Sequence, residues 1–429
     1  MRYTLHRSFT QLLTAGCIVA LTTSIPAVSL TEREELDALL VRYDLEPDGP
    51  VKESLALRID ATAHQKYATV SRLYWHTDLA SAKAAAREQG RPILHLRMLG
   101  SLEEDLSCAN SRLFRATLYA NQELSRFLRE RFVLYWSSER PVPRVTIDYG
   151  DGRTLERTTA GNSAHYILDE HGNVLDVLPG LYAPLAFRHE LEGALALAAR
   201  VRDKSDSERA SLVAEYHQQL VSAAERNWAA FAETVAWSPG MRQPPAQTRS
   251  ELAAAQRATV TKRAVEVRDL RVFAKELAPE AIPEDQMETW AAAGRALYWF
   301  DGLKPPAPPA RAMLPPAVPV LDDASRALVI RLHNAGPSEL RATDEDLRAL
   351  VARLEQTIVA DTALNQLRLR PQISREIVRR GGGFDFAALN DWIYAQVFRT
   401  PKADVWLGLL QRDVFTGLPG DGVVLRGTR

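Results

Sequence analysis

The chain has 429 residues, 46% hydrophobic and 25% charged, which is enough apolar material for two or three packed domains. Its 53 basic and 54 acidic residues leave a formal net charge of -1, so a general electrostatic case for nucleic acid is excluded and only a local basic patch remains open. Zinc-finger spacings and RNA-binding signatures are absent as well.

The opening "MRYTLHRSFTQLLTAGCIVALTTSIPAVSLTERE" places Arg2, His6 and Arg7 before an apolar run from Leu12 to Val28, with small residues after it. This is the pattern of a signal peptide over residues 1–29, cut after Ala27 or Ser29, and it predicts an exported protein, periplasmic or secreted. An uncleaved membrane anchor and a lipoprotein cut at Cys17 are the alternatives. No second segment is apolar and long enough to span a bilayer, so the mature chain is expected to have no stable transmembrane span. Export also changes how the cysteines are read: with Cys17 removed, Cys108 has no partner within the chain in an oxidising compartment.

Residues 30–74 read as a helical lead broken at "EPDGP", with Asp48 as a candidate cap and Pro50 suited to a first helical turn. "WHTDLASAKAAAREQG" predicts a helix capped by Asp78 and stopped at Gly90, and "RPILHLRML" a strand. "SRLFRATLYANQELSRFLRERF" returns to helical spacing with a break near Ala120 and Asn121. "FVLYW" and "RVTIDYG" are strand candidates, "SAHYILDEHGNVLDVLPG" is a hairpin turning at "EHGN", and Pro184 to Val201 is a closing helix. The order within 75–201 is an α/β pattern. Beyond it, strand signals nearly vanish. A helical region spans 202–303, a proline-rich connection 304–321 and a second helical region 322–429. In the last of these, Thr343 and Asp346 suggest a capping box, and "GGGFDF" at Gly381 to Phe386 a hinge or helix stop. The arginine-rich "LRLRPQISREIVRR" reads as a solvated helix face. Trp290 with Tyr298, Trp299 and Phe300, and Trp392 with Tyr394 and Phe398, read as core or as a seam between domains.

Four pieces within residues 75–200 then carry a resemblance: "WHTDLASAKAAAREQGRPIL", "CANS" at Cys108 to Ser111, "LYANQELSRFLRERFV", and "GNSAHYILDEHG". In order and spacing they resemble the exported bacterial branch of the thioredoxin-like superfamily. The resemblance implies an α/β thioredoxin-like domain followed by a mainly α-helical domain. It places Cys108 at the attacking-thiol position, Ser111 at the resolving-cysteine position and Ser163 at the cis-proline position. Ser107 stands where the family carries tryptophan, Ala164 where it carries threonine, and "GSLEEDL" is inserted before the site.

These departures have chemical consequences. A hydroxyl forms no disulfide, so a mixed disulfide on Cys108 would wait for an external thiol. A non-proline cis bond costs roughly 2.5–4 kcal/mol, so Ser163 is expected in a trans bond and a reshaped loop. Glu103, Glu104 and Asp105 oppose a thiolate at Cys108, whereas Arg112 and Arg115 favour it.

Other chemistries have little support. His76, His95, His165, His171 and His189 show no metal-ligand spacing, and no cofactor motif is present. Ser111, His165 and Asp169 make a hydrolase triad only on paper, without a GxSxG elbow. The expectation is therefore non-catalytic protein binding or scaffolding with an envelope or extracellular protein as partner. The alternative is monothiol oxidoreductase or isomerase activity through Cys108.

Overall fold

The computed structural model describes residues 31–158, 162–234, 287–299, 319–336, 338, 341–398, 400–403 and 405. The expected signal peptide with Cys17, the helical run at 247–277, residues 304–318 of the proline-rich connection and the tail at 406–429 lie outside the described residues.

Helices α1 (Glu32–Leu45) and α2 (Pro50–Ala63) form a hairpin closed by Leu36, Leu39, Leu40, Leu55 and Ile59. Asp48 is not the cap that the sequence suggests. Gly49 holds that position without a side-chain bond, and Asp48 instead pairs with Lys52 one turn on, at 3.1 Å. A short helix α3 (Ala68–Ser71) leads to α4 (Leu79–Gln89), which is capped by Asp78 and stopped by Gly90 as expected.

Strand β1 (Ile93–Leu99) follows, then α5 (Ala109–Leu113), which continues as a π-helical turn over Phe114–Leu118. Asn121 then caps α6 (Gln122–Arg131), accounting for the break anticipated there. β2 (Val133–Arg140) pairs parallel to β1. β3 (Arg144–Asp148) and β4 (Thr154–Thr158) make a separate antiparallel hairpin, whose second strand, "TLERT", the sequence reading did not assign. β5 (Ala164–Leu168) runs antiparallel to β1, and β6 (Val174–Pro179) antiparallel to β5. The result is a four-stranded mixed sheet in the order β2-β1-β5-β6. Every residue of β5 and β6 is buried, which requires cover on both faces of the sheet.

That cover comes partly from the helical half. After α7 (Pro184–Val201), the described helices are α8 (Asp206–Thr234), α9 (Met287–Trp299), α10 (Asp323–His333), α11 (Asp344–Leu364), α12 (Arg370–Arg379) and α13 (Phe386–Trp392). π-helical turns follow α11 (Asn365–Leu369) and α13 (Ile393–Val397). One continuous buried cluster joins sheet residues such as Leu96, Ile167 and Val177 to Val213, Ile358, Ile373, Ile393 and Phe398. The chain is thus an α/β unit with a mainly helical second half packed onto its sheet.

Local chemistry explains the fit. Thr343 and Asp346 form the expected capping box at the start of α11. α9 crosses α11 so closely at Gly294 that a Cβ there would meet the Val359 carbonyl oxygen at 2.0 Å. Gly382, with φ of 76°, ends α12 against the Ala210 carbonyl of α8, so "GGG" acts as a helix stop.

Candidate functional site

The carboxyl end of β1 aims the chain at the start of α5. The Cys108 amide donates to the Leu99 carbonyl (3.3 Å), which ties the residue to the strand. Cys108 takes an extended conformation as the helix cap, and its Sγ accepts the Ser111 amide hydrogen at 3.4 Å. A cap residue normally offers an oxygen to that orphan amide; here a sulfur does so.

Ser163 closes the other side, its Oγ 3.1 Å from Cys108 Sγ. The Ser163 carbonyl accepts the Gly180 amide hydrogen (2.9 Å), which fixes the segment to the end of β6. No cis peptide bond occurs among the described residues, so the bond into Ser163 is trans. The structure therefore brings together the three residues singled out from the sequence, Cys108, Ser111 and Ser163.

A polar shell supports them. Ser111 Oγ donates to the Cys108 carbonyl (2.9 Å) and is hydrogen-bonded to Ser107 Oγ (2.7 Å). Arg115, 1% exposed, donates to Ser107 Oγ and to the Leu102 and Glu104 carbonyls. Burial pulls its guanidinium pKa down, and the three bonds occupy its two terminal nitrogens while the buried Nε is left without a partner. Arg112 donates to Thr158 Oγ1 (2.9 Å), and that hydroxyl donates to the Ser107 carbonyl (3.2 Å). The acidic insertion is spent elsewhere: Asp105 on Lys66 and Tyr67, Glu104 on Arg144, and Glu103 on His64.

The thiol has no route to solvent, since Cys108 is 0% exposed, as are Ser111, Asn162 and Ser163. The helical half contributes to this closure. Tyr394, in the turn after α13, donates to the carbonyls of Asn162 (3.1 Å) and Arg97 (3.4 Å). Asn162 Nδ2 donates to the Phe398 carbonyl (3.3 Å), and Arg140 donates to that of Thr400 (3.3 Å). The aromatic group around Trp392 is thus, through Tyr394 and Phe398, a seam against the sheet. Trp290 is buried as well, whereas Phe300 lies outside the described residues.

The paper triad does not assemble. His165 bonds Tyr119 Oη through Nε2 at 2.7 Å and packs on Phe114 and Phe187, and burial depresses its pKa to about 3. Asp169 organises the β5–β6 turn by accepting from the amides of His171 and Asn173. Among the described residues no three His, Cys, Asp or Glu side chains converge as metal ligands.

A second buried polar group went unread in the sequence. Arg370, 4% exposed, pairs with Asp176 of β6 and Glu190 of α7, and also donates to Tyr216 Oη of α8 (3.2 Å). Tyr216 Oη donates in turn to Asp176 (3.0 Å). Burial opposes the Arg370 charge, but Asp176 and Glu190 hold its pKa well above the usual arginine value. The "solvated helix face" expected for this segment is corrected at Arg370, although Arg375 and Arg379 do point outward. The available signal was Asp176, a lone charge in the apolar strand "VLDVLP".

No protein-family model, curated protein or solved structure matches this chain.

Proposed function

We propose that this protein is an exported thioredoxin-like chain, periplasmic or secreted, whose redox site has been closed and which works by binding another protein. The sheet order β2-β1-β5-β6, with a cysteine-capped helix directly after β1, supports the thioredoxin-like reading. One observation carries the non-catalytic part: Cys108 is fully buried, and its sulfur faces the Ser163 hydroxyl. Disulfide exchange requires in-line approach of a second sulfur, and a buried thiol with Ser111 at the resolving position offers neither approach nor resolution. Among the described residues no helix is long and apolar enough to cross a membrane, in keeping with a partner met in an aqueous compartment.

Thiol labelling tests this. Cys108 is expected to stay unmodified by a maleimide in folded protein and to react fully after denaturation, while a crosslinked partner is retained by Cys108→Ala. Rapid labelling of the folded protein, with mixed disulfides lost in Cys108→Ala, would overturn the reading in favour of monothiol exchange. That second reading has its own support in the helix-cap geometry, where the Ser111 amide and the Ser163 hydroxyl can stabilise a thiolate. Mass spectrometry of the native amino terminus checks export, with residues 1–29 expected to be missing.

A further inference from the structure

A narrow cleft lies away from Cys108, where α1 meets the segment leading to α4 and the junction of α6 with β2. Arg33, Asp37, Arg72, His76, Gln89 and Arg129 line it, and its free volume is about 30 Å³. A water needs roughly 10–15 Å³ on this measure, so the cleft has room for one small polyatomic ion.

The lining carries three guanidiniums and one carboxylate, Asp37. Arg72 is already satisfied, donating to both oxygens of Asp44 at 2.6 and 2.8 Å. Glu32, the next carboxylate nearby, accepts from Tyr74 Oη at 2.7 Å. Arg129 is half-buried and spends one nitrogen on the Ser71 carbonyl (2.9 Å). Burial lowers its pKa first, and the charges of Arg72, Arg126 and Arg33 lower it further, against an opposing effect of Glu130. Arg33 makes no hydrogen bond or ion pair among the described residues, although its charge acts on Arg129, Tyr74 and His76. Two guanidiniums thus face one cleft in which Asp37 is the only carboxylate among the lining residues, with Glu130 acting on Arg129 from outside the lining. Guanidiniums are fork-shaped donors suited to carboxylate and phosphate oxygens.

We propose that this cleft binds a single small oxyanion, a carboxylate or phosphate group, through Arg33 and Arg129. The site is independent of the thioredoxin-like reading and would stand if Cys108 proved reactive.

Calorimetric titration of the full chain with inorganic phosphate, and separately with acetate, tests it against chloride at matched ionic strength. Saturable one-site binding of at least one ion is expected, weakened roughly tenfold or more by Arg33→Gln, since a bond to a charged group is lost. Arg33 is exposed, so the variant's melting temperature without anion should match the parent. Asp37→Asn should tighten binding. Phosphate binding alone assigns a phosphoryl ligand, and acetate binding with the same variant dependence assigns a carboxylate. No saturable binding of either ion, or binding that survives both Arg33→Gln and Arg129→Gln, overturns the proposal.

Discussion

Arg370 shows how much a single residue can hold. It is the only cation that hydrogen-bonds both Asp176 and Glu190 among the described residues, and all three sit where α7, α8 and α12 close on β6. Burying charges is expensive, and removing one partner leaves the others uncompensated. Arg370→Met is therefore expected to destabilise the fold by about 3–5 kcal/mol in denaturant titration. Adding Asp176→Asn and Glu190→Gln should recover part of that loss, because the stranded charges go with the arginine. A triple variant no more stable than the single one would remove the charge argument and leave only lost packing. The Cys108 sulfur is held more lightly, by one amide and one hydroxyl, and its importance lies in where it is rather than in what it supports.

Among the elements, α13 and the turn after it govern access to that cysteine. Tyr394 donates to the carbonyls of Asn162 and Arg97, so the seam is fastened to the segment that carries Ser163. Tyr394→Phe keeps the ring and removes both bonds. Local opening should then become easier, and maleimide labelling of Cys108 in folded protein is expected to rise roughly tenfold without global unfolding. An unchanged rate would mean that other contacts seal the thiol. The residues were readable here, but their arrangement was less so. "RPILHLRML", "SAHYILDEHGNVLDVLPG" and the helix from Pro184 announce themselves through periodicity and turn chemistry, and they form β1, β5 with β6, and α7. "TLERT" does not, because β4 lies in a hairpin with little burial and shows no apolar alternation. The helix at Asp323–His333 falls inside the helical region expected over 322–429, although it is too short and too close to the proline-rich stretch to stand out as a separate element. Gly49 rather than Asp48 caps α2, a difference of one residue that depends on backbone geometry no composition reports.

On the scale of the whole molecule, the two halves share a buried cluster, and sequence could not reveal this, because pairing Asp176 with Arg370 spans 194 positions. The shared interior also enclosed imidazoles. His95 and His165 are buried, and burial lowers each folded-state pKa from 6.5 to about 3. His217, between Ser374 and the Leu175 carbonyl, is shifted in the same direction for the same reason. The folded state thus keeps these rings neutral while the unfolded chain protonates them below 6.5. For His95 and His165 this contribution is complete above that value and is lost as the pH falls from 6.5 towards 3, at about 1.4 kcal/mol per pH unit for each ring. Denaturant titrations at pH 7.5 and pH 5.0 should show a fall of about 2 kcal/mol for each of His95 and His165. His165→Phe leaves the Tyr119 hydroxyl without its partner, so the variant starts less stable at every pH. What it tests is slope rather than height. Below pH 6 its stability should fall less steeply than the parent's by about 1.4 kcal/mol per pH unit, and parallel curves would show that His165 is not neutral in the folded interior.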